Sequence, residues 1–411
     1  MRRSTFLLAA LAIVLGVALA LGGSGSDARA GAPCSVEPGV PSVPSLELEY
    51  VLQTGEERVT PRTRDQAVAI VCARLRALGI AGGEVRPLGR KHIRVVLSGP
   101  QQPDDAQRVA ARLGAAGQLG FYDWEVNLIG PERTIGGNPG WTPKASALKR
   151  AKREWRVAGR PFSLPRNARL ILSGAFPSAY GAVKLASRQE PRTPCANCTA
   201  SGSRFYMFDR SAAHELLAGP VARKADLRRA GDARRDGIVL EVPVGTTIVS
   251  EQPTNGPFGE VLTAAEPGWY ALKDKPALTA VDIVDPRQEA DELGQPNVTF
   301  AFTAKGRVAF ERVTREIAFR GQARASGRVS SREAERLSGR FAVVFDHEVK
   351  TRPIINFAEN PNGIDGRTGA QISGGFTSFR EAKDLAAILR TGSLPVSLKL
   401  TRQRTLPTQN S

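Results

Sequence analysis

The last ordered stretch of this 411-residue sequence, Ser378 to Leu400, reads as a helix followed by a strand, and neither has a sheet of its own to join. Ser378 and Glu381 make an S-x-x-E capping pattern, Ala382, Leu385, Ala386 and Leu389 follow at helical spacing, and Gly392 stands just past the last turn. Leu394-Pro-Val-Ser-Leu-Lys-Leu then opens a strand, with Pro395 near its first residue, where an N–H can be spared. A strand needs a partner to bond its backbone, so this one could complete a sheet begun far earlier in the chain.

That earlier sheet starts at Leu46. Leu46, Leu48, Tyr50 and Leu52 alternate with Glu47 and Glu49, which predicts a strand with one polar face. Thr63 and Gln66 read as a capping box, and Ala67, Ile70, Val71, Leu75 and Leu78 as the apolar stripe of a helix that Gly79 and Gly82-Gly83 end. A short strand near Glu84 to Pro87, a second with Ile93, Val95 and Leu97, a helix with Ala106, Val109, Ala110 and Leu113, and a strand from Leu119 to Trp124 complete the order βαββαβ. This order predicts an α+β fold with a ferredoxin-like sheet and both helices on one face.

The middle is less patterned. Lys144 to Arg160, bounded by Trp141 and Trp155, is a basic helix candidate with Lys149, Arg150, Lys152 and Arg153 as a possible contact to an anionic surface; a solvated helix face is the plainer reading. Arg169 to Ser173 and Gly237 to Val242 read as strands, Leu216 to Arg229 as a helix, and Ala186 to Ser203 as a loop. From Ala277 the pattern sharpens. Val298, Phe300 and Phe302 alternate in a half-buried strand, and Phe310, Val313, Thr314 and Ile317 line a helix that Gly321 is expected to close. Phe341, Val343 and Phe345 then alternate with Ala342, Val344 and Asp346 in a strand ending in a turn at Asp346–His347.

The N-terminus sets the compartment. Arg2 and Arg3 precede an apolar run from Phe6 to Leu21, and Ala28-Arg29-Ala30 follows as an A-x-A pattern, so the segment reads as a cleaved signal peptide or an uncleaved anchor. Pro33 before Cys34, well beyond the apolar run, argues against a lipoprotein. Either reading puts the body outside the cytoplasm, secreted or anchored to the plasma membrane, which removes nucleic acid as the explanation of a net charge of +17. In that compartment cysteines can pair. Cys195 and Cys198 suit a small-loop disulfide or free thiols rather than a redox or zinc site, since no helix start follows them, and Cys34 with Cys72 is a further possible pair.

The residues offer little for catalysis. His92, His214 and His347 lie in unrelated contexts, His214-Glu215 lacks the second histidine of a zinc protease motif, and no nucleophile elbow or phosphate loop is present. The expectation is no enzyme, no cofactor and no metal.

Three blocks resemble the large extracytoplasmic domain of SecD, a membrane subunit that assists Sec-dependent protein export. The first runs from Ala73-Arg74 through Leu78-Gly79 and Gly89 to Ser98-Gly99-Pro100, with Leu119-Gly-Phe121 after it. The second holds Gly268-Trp-Tyr, Leu278-Thr279, Asp282-Ile283, Val298-x-Phe300-x-Phe302, Gly306, Phe310 and Thr314. The third holds Asp346, Pro353, Ile372, Gly375, Phe376, Ala382, Leu385-Ala386, Leu389-Arg390, Gly392 and Leu394-Pro395. Of these, Asp346, Pro353, Gly375, Phe376, Gly392 and Pro395 are read as structural positions of the motif. The family's Gly-Leu-Asp-Leu-x-Gly-Gly segment has no counterpart near Leu46, and Gly-Pro replaces its Pro-Gly turn.

The resemblance implies a base built from both ends of the sequence with a head inserted between. The expected division is 1–30 signal or anchor, 31–45 linker, 46–125 base, 126–277 insertion, 278–376 head, 377–401 the rest of the base and 402–411 a tail. It also implies a role in export, with translocating or unfolded polypeptide and Sec translocase components as partners. The family's later membrane helices are absent from these residues, so proton-coupled work is not expected of them alone. The alternative is a surface module that keeps the fold and holds anionic lipid or cell-wall polymer.

Overall fold

A computed structural model of the chain describes residues 34–36, 45–53, 59–80, 82–98, 103–129, 175–192, 198–199, 202–230, 237–252, 268–325 and 329–406. The segment 1–30, the basic stretch Lys144 to Arg160 and the strand expected over Arg169 to Ser173 lie outside these residues.

The first elements are β1 (Cys34–Val36), β2 (Ser45–Gln53), α1 (Pro61–Ala77), β3 (Gly83–Leu88), β4 (His92–Ser98), α2 (Pro103–Gly114), β5 (Leu119–Asp123) and the single turn α3 (Trp124–Asn127). Next come α4 (Ala179–Ala186), β6 (Arg204–Phe208), β7 (Leu216–Val221), α5 (Lys224–Ala230), β8 (Ile238–Val242), β9 (Thr246–Glu251), β10 (Gly268–Lys273) and β11 (Leu278–Thr279). The last are β12 (Ile283–Ala290), β13 (Pro296–Phe302), α6 (Ala304–Arg324), α7 (Ser331–Leu337), β14 (Gly339–Phe345), β15 (Glu348–Thr351), β16 (Ile354–Ile355), β17 (Ala370–Ser373), α8 (Phe379–Thr391) and β18 (Ser397–Leu406).

The architecture is mixed α+β. A five-stranded sheet runs β1-β3-β4-β2-β18, all neighbours antiparallel. Leu46, Leu48, Tyr50, Leu52, Ile93, Val95 and Leu97 face α1 and α2, which contribute Val71, Leu75, Val109 and Leu113 to one core. The Tyr50 hydroxyl donates to the Ala110 carbonyl at 2.8 Å, so this buried polar group is satisfied. Cys34 and Cys72 form a disulfide that fastens the edge strand β1 to α1. Helix α1 starts one turn earlier than its expected box: Thr60 is the N-cap, paired reciprocally with Thr63, because Pro61 fits the first helical position.

The strand from Leu119 does not join this sheet. Strand β5 pairs with β14 and β11 in a second sheet ordered β10-β9-β15-β14-β5-β11, and β18 takes the position beside β2. The physical reason is burial: all five residues of β5 are buried, so it belongs inside a sheet covered on both faces, between β14 and β11. Phe121, Phe341, Val343 and Phe345 enter a core on one side, while Tyr122, Ala342 and Val344 enter another.

The first of those cores also takes Val298 and Phe300 from a three-stranded sheet β12-β13-β17, Phe310, Val313 and Ile317 from α6, and the stripe Ala382, Leu385, Ala386 and Leu389 from α8. The last helix and the last strand therefore part company, the strand going to the first sheet and the apolar stripe of the helix to this other core. A further three-stranded sheet, β7-β6-β8, carries a smaller layer with α4 and α5.

Two local expectations change. The helix read over Leu216 to Arg229 is strand β7 followed by α5, since Pro220 would remove a helical hydrogen bond and clash with the preceding turn. Gly321 does not close α6, which continues to Arg324; a Cβ at Gly321 would lie 2.5 Å from the Phe357 ring, so the glycine is there for close packing.

Candidate functional site

Four of the family-motif residues, Arg74, Asp346, Gly392 and Leu394, meet at a junction between the first sheet and the core beneath α8. Asp346 and His347 form the β14–β15 turn, both with positive φ (44° and 69°), a backbone state that Asp tolerates better than most residues. The Asp346 carboxylate accepts the backbone N–H groups of Gly117 (3.0 Å) and Gln118 (2.7 Å), and its own N–H donates to the Gln118 carbonyl at 2.9 Å. Asp346 is thus a clamp on the strand lead-in before β5 as well as a turn-former.

Arg74 meets the same segment from α1. It is fully buried and donates to the carbonyls of Leu113 (3.0 Å), Ala115 and Gly392 (3.0 Å). Burial pushes its guanidinium down to about 10, while the charge of Asp346 and the Tyr50 hydroxyl pull the other way, so it remains a cation at neutral pH. The Ser393 hydroxyl donates to the Gly117 carbonyl at 2.7 Å, and the Leu394 N–H to Ala116 at 2.8 Å. Gly117, at φ 75°, has no room for a side chain: a Cβ would stand 2.9 Å from Nη2 of Arg74. Four chain crossings meet here, and the arrangement fixes position rather than exposing a reactive group.

The remaining motif residues are also structural. The Pro353 carbonyl accepts the Phe341 N–H at 3.0 Å. Gly375, at φ 72°, brings its Cα against the backbone of Lys350, where a Cβ would meet the carbonyl oxygen at 2.7 Å. Phe376 packs half-buried on the core of α8, Gly392 is the C-cap of that helix, and Pro395 is exposed just before β18. The Ser378 cap forms through Glu381 N–H, but the Glu381 carboxylate turns to the Thr377 N–H at 3.0 Å rather than to Ser378. Asp384, buried on α8, meets Arg108 at 2.7 Å and Arg112 at 3.5 Å on α2, and Arg380 meets Asp105 at 2.8 Å.

The histidines do not assemble. His92 lies on β4, His214 stacks on the Tyr180 ring at 4.0 Å, and His347 lies under its own turn near the Ile248 carbonyl (3.2 Å), where burial lowers its pKa. Among the described residues no three His, Cys, Asp or Glu side chains are grouped as metal ligands. Cys198 is disulfide-bonded, whereas Cys195 and the patch Lys149, Arg150, Lys152 and Arg153 lie outside the described residues.

Among the described residues, two exposed surfaces bear on partner binding. On the α6 side Val281, Val308 and Phe319 are 79%, 62% and 54% exposed. On the helix-free face of the first sheet Glu47 sits between Arg94 and Arg404, the latter at 2.8 Å, and Glu49 faces Arg402 at 3.8 Å. The hydrogen bond from Arg404, against a modest burial penalty, holds the Glu47 carboxyl below the usual range. The sequence reading ended this strand at Leu400 and treated the residues after it as a tail, missing the alternation that places Arg402 and Arg404 opposite Glu49 and Glu47.

Residues 259–396 match the family described as SecDF, P1 head subdomain. Similar proteins include the protein translocase subunit SecDF of Thermus thermophilus, 34% identical over 131 residues, which are 32% of this chain and 14% of that protein. The protein translocase subunit SecD of Aquifex aeolicus is 30% identical over 136 residues, 33% of this chain and 22% of that protein. The matched stretch therefore spans less than a quarter of either relative. A solved structure of SecDF in its super-membrane-facing form aligns with 90% of this chain and 31% of that one, at 20% identity and a TM-score of 0.43. Among the described residues no helix is long and apolar enough to cross a membrane.

Proposed function

Because the chain carries a SecD-like domain, we propose that it is an extracytoplasmic factor of protein export that contacts translocating polypeptide or the Sec channel. The observation that carries this is the match of residues 259–396 to the SecDF P1 head. The export pattern at the N-terminus agrees with it, and the exposed Val281, Val308 and Phe319 supply apolar surface on that same segment for an unfolded chain. In this reading the first sheet with α1 and α2 is a ferredoxin-like base whose fourth strand is β18, and the core beneath α6 and α8 is the head. The work is binding and positioning, not catalysis. The anionic-surface alternative rests on Lys149 to Arg153, outside the described residues, and no observation favours it.

Photo-crosslinking residues at positions 281, 308 and 319 in native membranes test the proposal. Adducts with exported polypeptides or Sec components are expected; adducts with neither would end it.

A further inference from the structure

The free edges of the sheets differ sharply in what they could accept. Strand β1 has three residues and is pinned by its disulfide, β10 is bridged by Leu128 and Phe176, and β12 is broken by a register shift at Asp285-Pro286. Strand β7 carries Pro220, β8 has five residues, β11 has two, and β17 has four. Strand β18 is ten residues long, contains no proline, and among the described residues pairs along its length with β2 on one side only. Residues Leu400 to Thr405 are exposed although their partners Leu46, Leu48 and Tyr50 are buried, so the helices cover β2 and stop short of the outer half of β18.

The edge also carries charge in a fixed place. A register shift between Leu400 and Arg402 leaves Thr401 unpaired, so that Arg402 and Arg404, like Lys399 before the shift, face the helix-free side beside Val51, Glu49 and Glu47. On that face Arg94, Arg402 and Arg404 share two carboxylates, Glu47 and Glu49, which leaves the rim positive. A second copy of this strand would set these cations against their own kind, which opposes self-pairing.

The geometry points to β18 as a docking rail for an extended polypeptide segment that is acidic at alternate positions. Such a segment adds a sixth strand to the five-stranded sheet, bonding main chain to main chain, with its carboxylates beside Lys399, Arg402 and Arg404. This rests on the export reading above, and names the place and the chemical class of what is held.

The test is hydrogen–deuterium exchange on the full chain with three ten-residue peptides: Glu alternating with Thr and Val, the same peptide with Lys for Glu, and the Glu peptide N-methylated at alternate residues. The Glu peptide is expected to slow exchange across 397–406 at least about tenfold. The Lys peptide should bind at least about tenfold more weakly, and the N-methylated peptide should fail when its methyl groups face β18. Equal binding of the Lys peptide, or protection confined to 281–324, overturns the rail while leaving the export reading intact. Stronger protection of 397–406 by phosphatidylglycerol vesicles than by the Glu peptide overturns it in favour of a membrane contact. Failure of the full chain to capture any unfolded exported protein removes the export reading itself, and the rail with it.

Discussion

Replacing Arg74 by methionine tests whether the buried junction holds the two cores in register. Methionine keeps most of the stem volume, but the carbonyls of Leu113, Ala115 and Gly392 lose their shared donor. A buried acceptor stripped of its partner costs about 1–3 kcal/mol, and the three losses are not independent. Removing a desolvated cation returns part of that energy, since the same burial pushes the Arg74 pKa down to about 10. The net expectation is a loss of about 3 kcal/mol, or a fall of up to about 1 M in the urea midpoint read by tryptophan fluorescence. Because the donors reach from α1 to the α8 C-cap, exchange should accelerate together at 113–118 and 388–394. A variant within about 1 kcal/mol of the parent, or one in which only α1 loosens, would refute the reasoning.

The other perturbations separate the contributions of neighbouring groups. Asp346→Ala removes the acceptor of two backbone N–H groups and a residue suited to positive φ, and should cost about 2–4 kcal/mol in chemical denaturation, whereas Asp346→Asn should cost about half as much. Burial lowers the pKa of His347 below its unfolded value: below about pH 6.5 the unfolded chain takes up the proton first, and stability falls as the pH falls. His347→Asn, which tolerates the φ of 69°, should flatten that acid limb of a melting-temperature profile. Asp384→Ala leaves Arg108 and Arg112 facing each other without their carboxylate, and an expected loss of about 2–3 kcal/mol should be reduced when Arg108→Ala is added. Exchanging Cys34 and Cys72 together for serine opens a loop of 38-residue separation and should cost about 3–4 kcal/mol in thermal or urea unfolding.

Much of the candidate site was visible in the sequence as residue types and not as a site. Asp346 read as a turn-former, which it is, but its second role needs Gly117 and Gln118, more than two hundred residues away in the chain. Arg74 read as part of a motif at a helix end, and nothing local marks it as the donor that reaches the end of the last helix. The rim of β18 looked like a polar tail because its alternation appears only once Glu47 and Glu49 stand beside it and the register shift after Leu400 is in place.

Sequence alone determined the local periods: the alternation of Leu46 to Leu52 and Phe341 to Phe345, the stripe of Ala382 to Leu389, the serine cap, and the stop at Gly392. These follow from steric limits and hydrogen bonds within a few residues, which any chain of that pattern obeys. Tertiary structure decided the partners. A stripe at helical spacing says that a face is buried but not against what, so only the folded chain could send α8 and β18 to different cores. It likewise exchanged β5 for β18 in the first sheet, because a strand buried on both faces gains most between two partners inside a covered sheet, and a strand with one charged face loses least at an edge.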